Sequence, residues 1–188
     1  GRDVAGILDA AASGDLDFVF LLGADEIDTA KLENPFVVYQ GTHGDSGAHV
    51  ADVILPAAAY TEKSALWVNT EGRVQMGRRA AFPPGDARED WSILRALSDV
   101  LGQKLPYDSL QQLRAGLFEA HPHFAQLDSV SSAASVTSGP GGAMDETPFT
   151  NAVTDFYFTN PIARASKIMA DCAATYGNKE AGATGTNG

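Results

Sequence analysis

The side chains best placed to do chemistry in this 188-residue chain gather in one short stretch, GTHGDSGAHV, which follows directly on an apolar run. Gly41, Gly44 and Gly47 recur there every third residue. Glycine at that density lets a backbone take positive φ or approach another group closely. In open α/β sheets, the loops at the carboxyl ends of strands are where ligands bind. The stretch therefore reads as a ligand cradle or the remains of one. Its spacing matches neither the G-x-G-x-x-G dinucleotide fingerprint nor the G-x-x-x-x-G-K-[ST] phosphate loop, which favours structural turns over a phosphate cradle. His43, Asp45 and His49 lie in the same loop and are metal-ligand types, but they follow no recognised zinc spacing. Loop side chains that satisfy backbone groups account for them better.

The remaining candidates are weaker. Glu62 and Glu71 are carboxylates that acid–base catalysis would need as a pair, and nothing in the sequence brings them together. Arg73, Arg78 and Arg79 could grip an anion through their forked donors, yet in so acidic a chain they are expected to pair with Asp or Glu. His121 and His123 flank Pro122 at a helix end, where a cation complements the helix dipole. Cys172 falls on an apolar helical stripe and reads as a small buried hydrophobe. No nucleophile elbow or kinase signature is present.

The elements that must position these residues alternate as α/β. Asp3 is expected to cap a first helix with Val4, Ile7, Leu8 and Ala11 on one face and Gly14 at its end. Phe18 to Leu22 is an unbroken apolar run of the kind seen in strands covered on both faces, and Phe36 to Tyr39 repeats it after a short polar turn or helix around Asp28 to Leu32. Val53 to Leu55 forms a third strand, stopping at Pro56. Asp86 with Glu89 resembles a capping box ahead of Trp91, Leu94, Leu97 and Leu101, with Gly102 just past the end. Leu110, Leu113 and Leu117 mark a second helix that stops before Pro122. Ser129 to Gly142 is low-complexity. Asn160 and Pro161 suit the N-cap and first position of a single final helix carrying Ile162, Ala165, Met169, Cys172 and Tyr176, with Gly177 as its stop. The expected organisation is residues 1–82 as an α/β part, 83–127 helical, 128–150 a flexible linker, 151–177 a C-terminal segment with an amphipathic helix, and 178–188 a disordered tail.

Composition narrows the function classes. A net charge of −11 repels a phosphate backbone, so nucleic-acid binding is not expected; docking on a basic partner surface is. One cysteine excludes an internal disulfide and an iron–sulfur cluster held by this chain alone, since such clusters take four thiolates. No apolar run approaches the ~20 residues that span a bilayer, so direct membrane insertion is not expected. The chain opens on a helical pattern without a leader, as the C-terminal piece of something longer would.

The ordered run Ala51-Asp52-Val53-Ile54-Leu55-Pro56, then Glu62-Lys63, then Asn69-Thr70-Glu71-Gly72-Arg73-Val74-Gln75 resembles the signature of the molybdopterin oxidoreductase superfamily. Tyr39 to Asp45, Ala59 to Lys63, Ala87 to Trp91, Asp155 to Phe158 and Arg164 to Cys172 resemble, within it, the large iron–sulfur subunits of respiratory complex I (NADH–quinone oxidoreductase). The resemblance implies a partial, mostly parallel sheet of molybdopterin-oxidoreductase type with a helical C-terminal extension. It implies a structural C-terminal region, without catalytic or metal-binding residues, of a subunit whose iron–sulfur clusters lie in an N-terminal part not included here. Asp52, Glu62, Asn69, Glu71, Gly72 and Arg73 carry over as a vestigial, fold-keeping signature. The implied partners are other subunits of the complex I peripheral arm. The implied location is peripheral, on the cytoplasmic face of the bacterial inner membrane or the matrix side of the mitochondrial one. The alternative is a truncated fragment of an active molybdopterin (bis-MGD) oxidoreductase. Working members of that kind carry a strand-rich domain after the signature, and the residues after Gln75 show little strand periodicity. A free-standing nucleotide-binding module is disfavoured by the missing phosphate fingerprints.

Overall fold

The computed structural model describes residues 1–130, 142, 146, 153 and 155–177. Helix α1 (Val4–Ser13) begins where the Asp3 carboxylate accepts the Gly6 N–H at 2.8 Å and ends at Gly14, whose φ of 80° is the left-handed cap. It leads into strand β1 (Phe18–Leu22). A 3-10 turn, Thr29–Leu32, capped by Asp28, follows, and then strand β2 (Phe36–Gly41). One turn of helix, α2 (Ser46–Val50), precedes strand β3 (Val53–Pro56). The three strands pair in parallel in the order β1-β2-β3, with Leu22 opposite Gln40 and Gln40 opposite Leu55. Strands β4 (Ala65–Val68) and β5 (Val74–Gly77) form a separate antiparallel hairpin.

Period-two alternation decides what each face of the sheet does. Val19, Leu21, Val37 and Tyr39 point one way and bury against Leu8 and Ala11 of α1, Leu32 of the turn, and Ala48 and Val50 beside them. Val4 and Ile7 of α1 stay exposed, so the buried face of that helix is narrower than its apolar spacing suggests. The opposite sheet face is half open: Phe18 and Leu22 are 52% and 53% exposed, and Phe36 is 49% exposed. An unbroken apolar run thus means burial on both faces for β2 but not for β1, which lies at an edge of the described sheet.

Beyond the hairpin come α3 (Asp90–Val100), α4 (Leu110–Ala120), a 3-10 turn Phe156–Phe158, α5 (Pro161–Arg164) and α6 (Lys167–Tyr176). Helix α3 starts later than a capping box at Asp86 predicts. Glu89 is its N-cap residue, without a side-chain cap bond, and its carboxylate instead accepts the Trp91 indole N–H at 3.2 Å and pairs with Arg79. The single final helix read from periodicity is two helices, because the Ser166 hydroxyl caps a fresh start at the Met169 N–H. No strand follows Gly77 among the described residues. The low-complexity linker lies mostly, and the tail 178–188 entirely, outside the described residues.

Candidate functional site

The carboxyl ends of β1 and β2 carry a cluster of charged side chains, Asp25, Glu26, Asp45 and Arg164. Asp25 follows β1 after Gly23, which turns the chain at φ 66°; Asp45 follows β2 and caps α2 by accepting the Ser46 N–H at 2.9 Å. Because the two strands run parallel and in register, both carboxylates arrive at the same edge. Asp25 also accepts the Gly47 N–H at 3.0 Å, which ties the β1 loop to α2. Into this pair reaches Arg164, from the far end of the chain. Its Nη2 donates to Asp25 Oδ1 at 2.6 Å, its Nε to Asp45 Oδ2, and its Nη1 to Glu26 Oε1 at 3.1 Å. Side-chain exposure is 7% for Arg164, 0% for Asp25 and 3% for Asp45, so the pair is dry, while Glu26 stands at the rim. A planar guanidinium with five donors suits this three-way grip as an ammonium does not.

The electrostatics follow from the packing. Burial alone would lower the Arg164 pKa, but its bonds to Asp45 and Glu26 and the charge of Asp25 raise it. Burial raises Glu26, and the hydrogen bond and charge of Arg164 together with backbone hydrogen bonds outweigh it, leaving that carboxyl below the ordinary glutamate range. Tyr39 lies against the same group. Burial, with Asp25 and Asp45 nearby, pushes its phenol up to about 12, so it stays a neutral donor to the His43 carbonyl at 3.1 Å.

Next to the cluster is a half-open cavity of about 370 Å³ lined by Tyr39, Gln40 and Gly41 of β2, Ala57 to Tyr60, Lys63, Trp67 and Asp90, and bounded on one side by Asn160, Pro161 and Ile162. Gln40 is fully buried; its amide N–H donates to Asp90 Oδ1 at 2.9 Å, while its Oε1 has no partner. Lys63 pairs with the other Asp90 oxygen at 2.5 Å and lies 5.9 Å from the Trp67 ring centre.

The structure places each candidate residue read from the sequence. Gly41 and Gly47 pack on Tyr39, where an added Cβ would meet the ring; their service is close packing. His43 shares a 2.8 Å hydrogen bond with Thr42, His49 sits in the last turn of α2, and Asp45 is engaged as described. The glycine-rich loop thus holds a helical turn, and His43, Asp45 and His49 form no metal-binding group. Among the described residues no group of three or more His, Cys, Asp or Glu could hold a metal ion.

The signature residues bond to their own neighbourhood. Asp52 accepts the Val37 N–H at 2.7 Å and returns its own N–H to the Val37 carbonyl, which fixes β3 on β2. Glu62 accepts the Ala59 N–H at 2.9 Å and locks the turn after β3. Asn69 accepts the Arg73 N–H and donates to Glu71, Glu71 accepts from Arg73, and Gly72 turns the hairpin at φ 82°. Arg73 reaches further, donating to the Asp128 carbonyl at 2.7 Å, so the end of the helical segment is tied to the hairpin. Glu62 and Glu71 share no bond. Arg79 pairs with Glu89 at 3.2 Å and lies over Phe82, and Arg78 is exposed. His121 and His123 cluster with Phe124, and Cys172 is half-buried on α6.

Comparison with known proteins agrees with this frame. Residues 2–100, just over half of the chain, match the molybdopterin oxidoreductase family. The chain belongs to that family. Residues 122–172 match a second family, described as the C-terminal part of an NADH-ubiquinone oxidoreductase subunit. The chain is 48% identical over 173 residues to the NADH-ubiquinone oxidoreductase 78 kDa subunit of Candida albicans, covering 86% of this chain and 24% of that protein. It is 46% identical over 162 residues to the 75 kDa subunit of Reclinomonas americana, covering 85% and 23%. Against the NADH dehydrogenase [ubiquinone] iron-sulfur protein 1 of Solanum tuberosum it is 48% identical over 161 residues, covering 84% and 22%. Among solved structures, acetylene hydratase from Pelobacter acetylenicus superposes with a TM-score of 0.47 at 19% identity, covering 53% of this chain and 16% of its own. The chain spans about a quarter of the length of the curated relatives it matches.

The pterin–guanine cofactor of this family does not fit the described residues. A 370 Å³ cavity lies at the small end of the range for one drug-sized ligand, and the chain's own Asn160 to Ile162 form part of its wall. Of the three loop glycines, Gly41 and Gly47 are packed against the Tyr39 ring, and only Gly44 stands open. With Cys172 as the sole thiol, an iron–sulfur cluster does not fit either.

Proposed function

We propose that this chain is the C-terminal region of the large iron–sulfur subunit of an NADH–quinone oxidoreductase, complex I, and that it serves there as a scaffold. The observation that carries the reading is the match over most of the chain to relatives named as one subunit of that enzyme, joined to a separate match over residues 122–172. On this reading the iron–sulfur clusters belong to the part of the subunit outside this chain. This region holds no cofactor, braces the cluster-bearing part, and docks on other subunits of the peripheral arm. It is peripheral to the membrane, on the cytoplasmic side in a bacterium or the matrix side in a mitochondrion. No helix among the described residues is long and apolar enough to cross a membrane, in keeping with a peripheral position.

The physical support is that Asp52, Glu62, Asn69, Glu71 and Arg73 spend their polar atoms on backbone and on one another. Groups so engaged shape turns and strand registers, and a cofactor would have to displace those bonds. The deciding experiment is to purify the tagged full-length protein gently from membranes and quantify iron and molybdenum together. Abundant iron without molybdenum, with NADH-oxidising partners, is the expected result. Stoichiometric molybdenum would overturn the reading in favour of a truncated active molybdopterin oxidoreductase.

A further inference from the structure

We propose that the outer edge of β1 receives a parallel strand from the part of the full-length subunit outside this chain, with α1 as the helix that joins it to β1. The proposal rests on the assignment above only in taking the remainder of the subunit to lie outside this chain, which spans about a quarter of its curated relatives. The backbone shows which groups the strand would meet. The Phe36 N–H donates to the Asp17 carbonyl at 2.9 Å, and the Gly23 N–H donates to the Gln40 carbonyl at 2.7 Å. Hydrogen-bonding groups alternate between the two sides of a parallel strand. Asp17, Val19, Leu21 and Gly23 therefore serve β2, and the N–H and C=O groups of Phe18, Phe20 and Leu22 point to the outer edge. No strand pairs there among the described residues. The same three residues carry the open face of the sheet, where the Phe18 ring stacks on Phe36 with 6.4 Å between centres. The opposite edge is different. Beyond β3, the Arg88 N–H donates to the Pro56 carbonyl at 3.1 Å, and the Arg88 carbonyl accepts the Ala58 N–H at 2.8 Å. The chain thus covers the carboxyl end of one edge itself and leaves the other bare.

Handedness names the occupant. Parallel sheets are covered on both faces, and a connection between parallel strands of one sheet crosses with a right-handed turn. The connections from β1 to β2 and from β2 to β3 pass over one face, that of Val19, Leu21, Val37 and Tyr39. Leu32 of the first connection and Ala48 and Val50 of the second pack there. Helix α1 lies on that same face through Leu8 and Ala11. Crossovers of one hand over one face all step in the same direction across a sheet. A strand that leads into α1 must then lie one step before β1, on its bare edge. Another subunit or a second copy would pair with that edge without using α1 as its connection.

The test starts with amide hydrogen exchange, resolved to single residues by mass spectrometry, on the wild-type full-length subunit in its native assembly. The outward amides of Phe18, Phe20 and Leu22 are expected to exchange within about tenfold of the β2-bonded amides of Val19 and Leu21. Outward amides faster than that belong to a free edge and overturn the proposal. Photo-crosslinking from Phe18→p-benzoylphenylalanine in the same assembly then identifies the neighbour. A crosslink to residues of the same polypeptide that precede this chain is expected. A crosslink to another subunit, or none to the preceding residues, overturns the proposal even if the amides are slow. Leu22→p-benzoylphenylalanine, at the other end of the edge, serves if the first variant does not assemble. Neither readout depends on which metals are bound. Stoichiometric molybdenum would overturn the assignment to complex I and leave this pairing standing, and fast outward amides would do the reverse.

Discussion

Arg164 bridges 139 residues of sequence to reach Asp25 and anchors the C-terminal segment at the carboxyl edge of the sheet. Its partner at the rim gives a pH signature. The folded pKa of Glu26 is lowered, so its contribution is complete above the unfolded value, about 4.3, and is lost as pH falls through the lower folded value. The difference in unfolding midpoint between wild type and Glu26→Gln is therefore expected to be constant from pH 7 to about pH 5.5 and to shrink below about pH 4. A difference that grows on acidification would contradict the pairing. Asp52 works more locally, because Val37, whose N–H it accepts, is fully buried. Asp52→Ala should cost about 1–3 kcal/mol in denaturant titration, with Asp52→Asn milder since an amide oxygen still accepts. Electron transfer in assemblies that form should be unchanged; normal assembly with lost turnover would contradict a fold-keeping role. Gly72 holds φ 82° at the hairpin turn, so Gly72→Ala should cost about 1 kcal/mol. An equal or raised midpoint would show that the turn relaxes.

At the scale of elements, the C-terminal segment behaves differently from what its apolar stripe promises. A continuous helix with Ile162, Ala165, Met169, Cys172 and Tyr176 on one side should bury that side. The structure breaks it at Ala165–Ser166, where Ser166 caps a new helix; Asn160 caps α5, Arg164 anchors it, and α6 packs against the Phe156–Phe158 turn. Truncation before Asn160 should therefore lower the unfolding midpoint chiefly by leaving Asp25 and Asp45 without the Arg164 guanidinium. In such a truncation Asp45→Asn, which removes one of the two like charges, should recover part of the loss. No recovery would mean that lost apolar packing, and not charge, is the cost. The break was written in the sequence as a serine preceding Lys167, but a serine inside an apolar period carries no instruction by itself. It caps a helix only where the chain has already turned.

For the molecule as a whole, the α/β alternation, the parallel sheet and the family were legible in the chain, because each rests on local signals. Asp3 and Gly14 bracket α1, apolar runs mark β1 and β2, and the Asp52 to Gln75 run carries the family pattern. The open face of β1 was not legible, since an unbroken apolar run cannot say whether its second side is covered. That face carries Phe18, Leu22 and Phe36, and exposed apolar surface of this kind binds hydrophobic dyes. The 188-residue chain expressed alone is expected to bind such a dye, and Phe18→Ser with Phe36→Ser to reduce it without lowering the midpoint. Unchanged binding would place the exposed patch elsewhere.

What the sequence determined by itself was whatever depends on neighbours within about a turn or a strand: caps, turns, strand runs and the ordered signature. The glycine loop shows where that stops. Its spacing suggests a cradle, yet Gly41 and Gly47 are glycines because the Tyr39 ring packs on them, a fact about a strand and a helix meeting. The meeting of Arg164 with Asp25 and Asp45 lies further still beyond local reading. Only the parallel register of β1 and β2 brings the two carboxylates together, and only their shared burial makes a distant cation necessary to hold them.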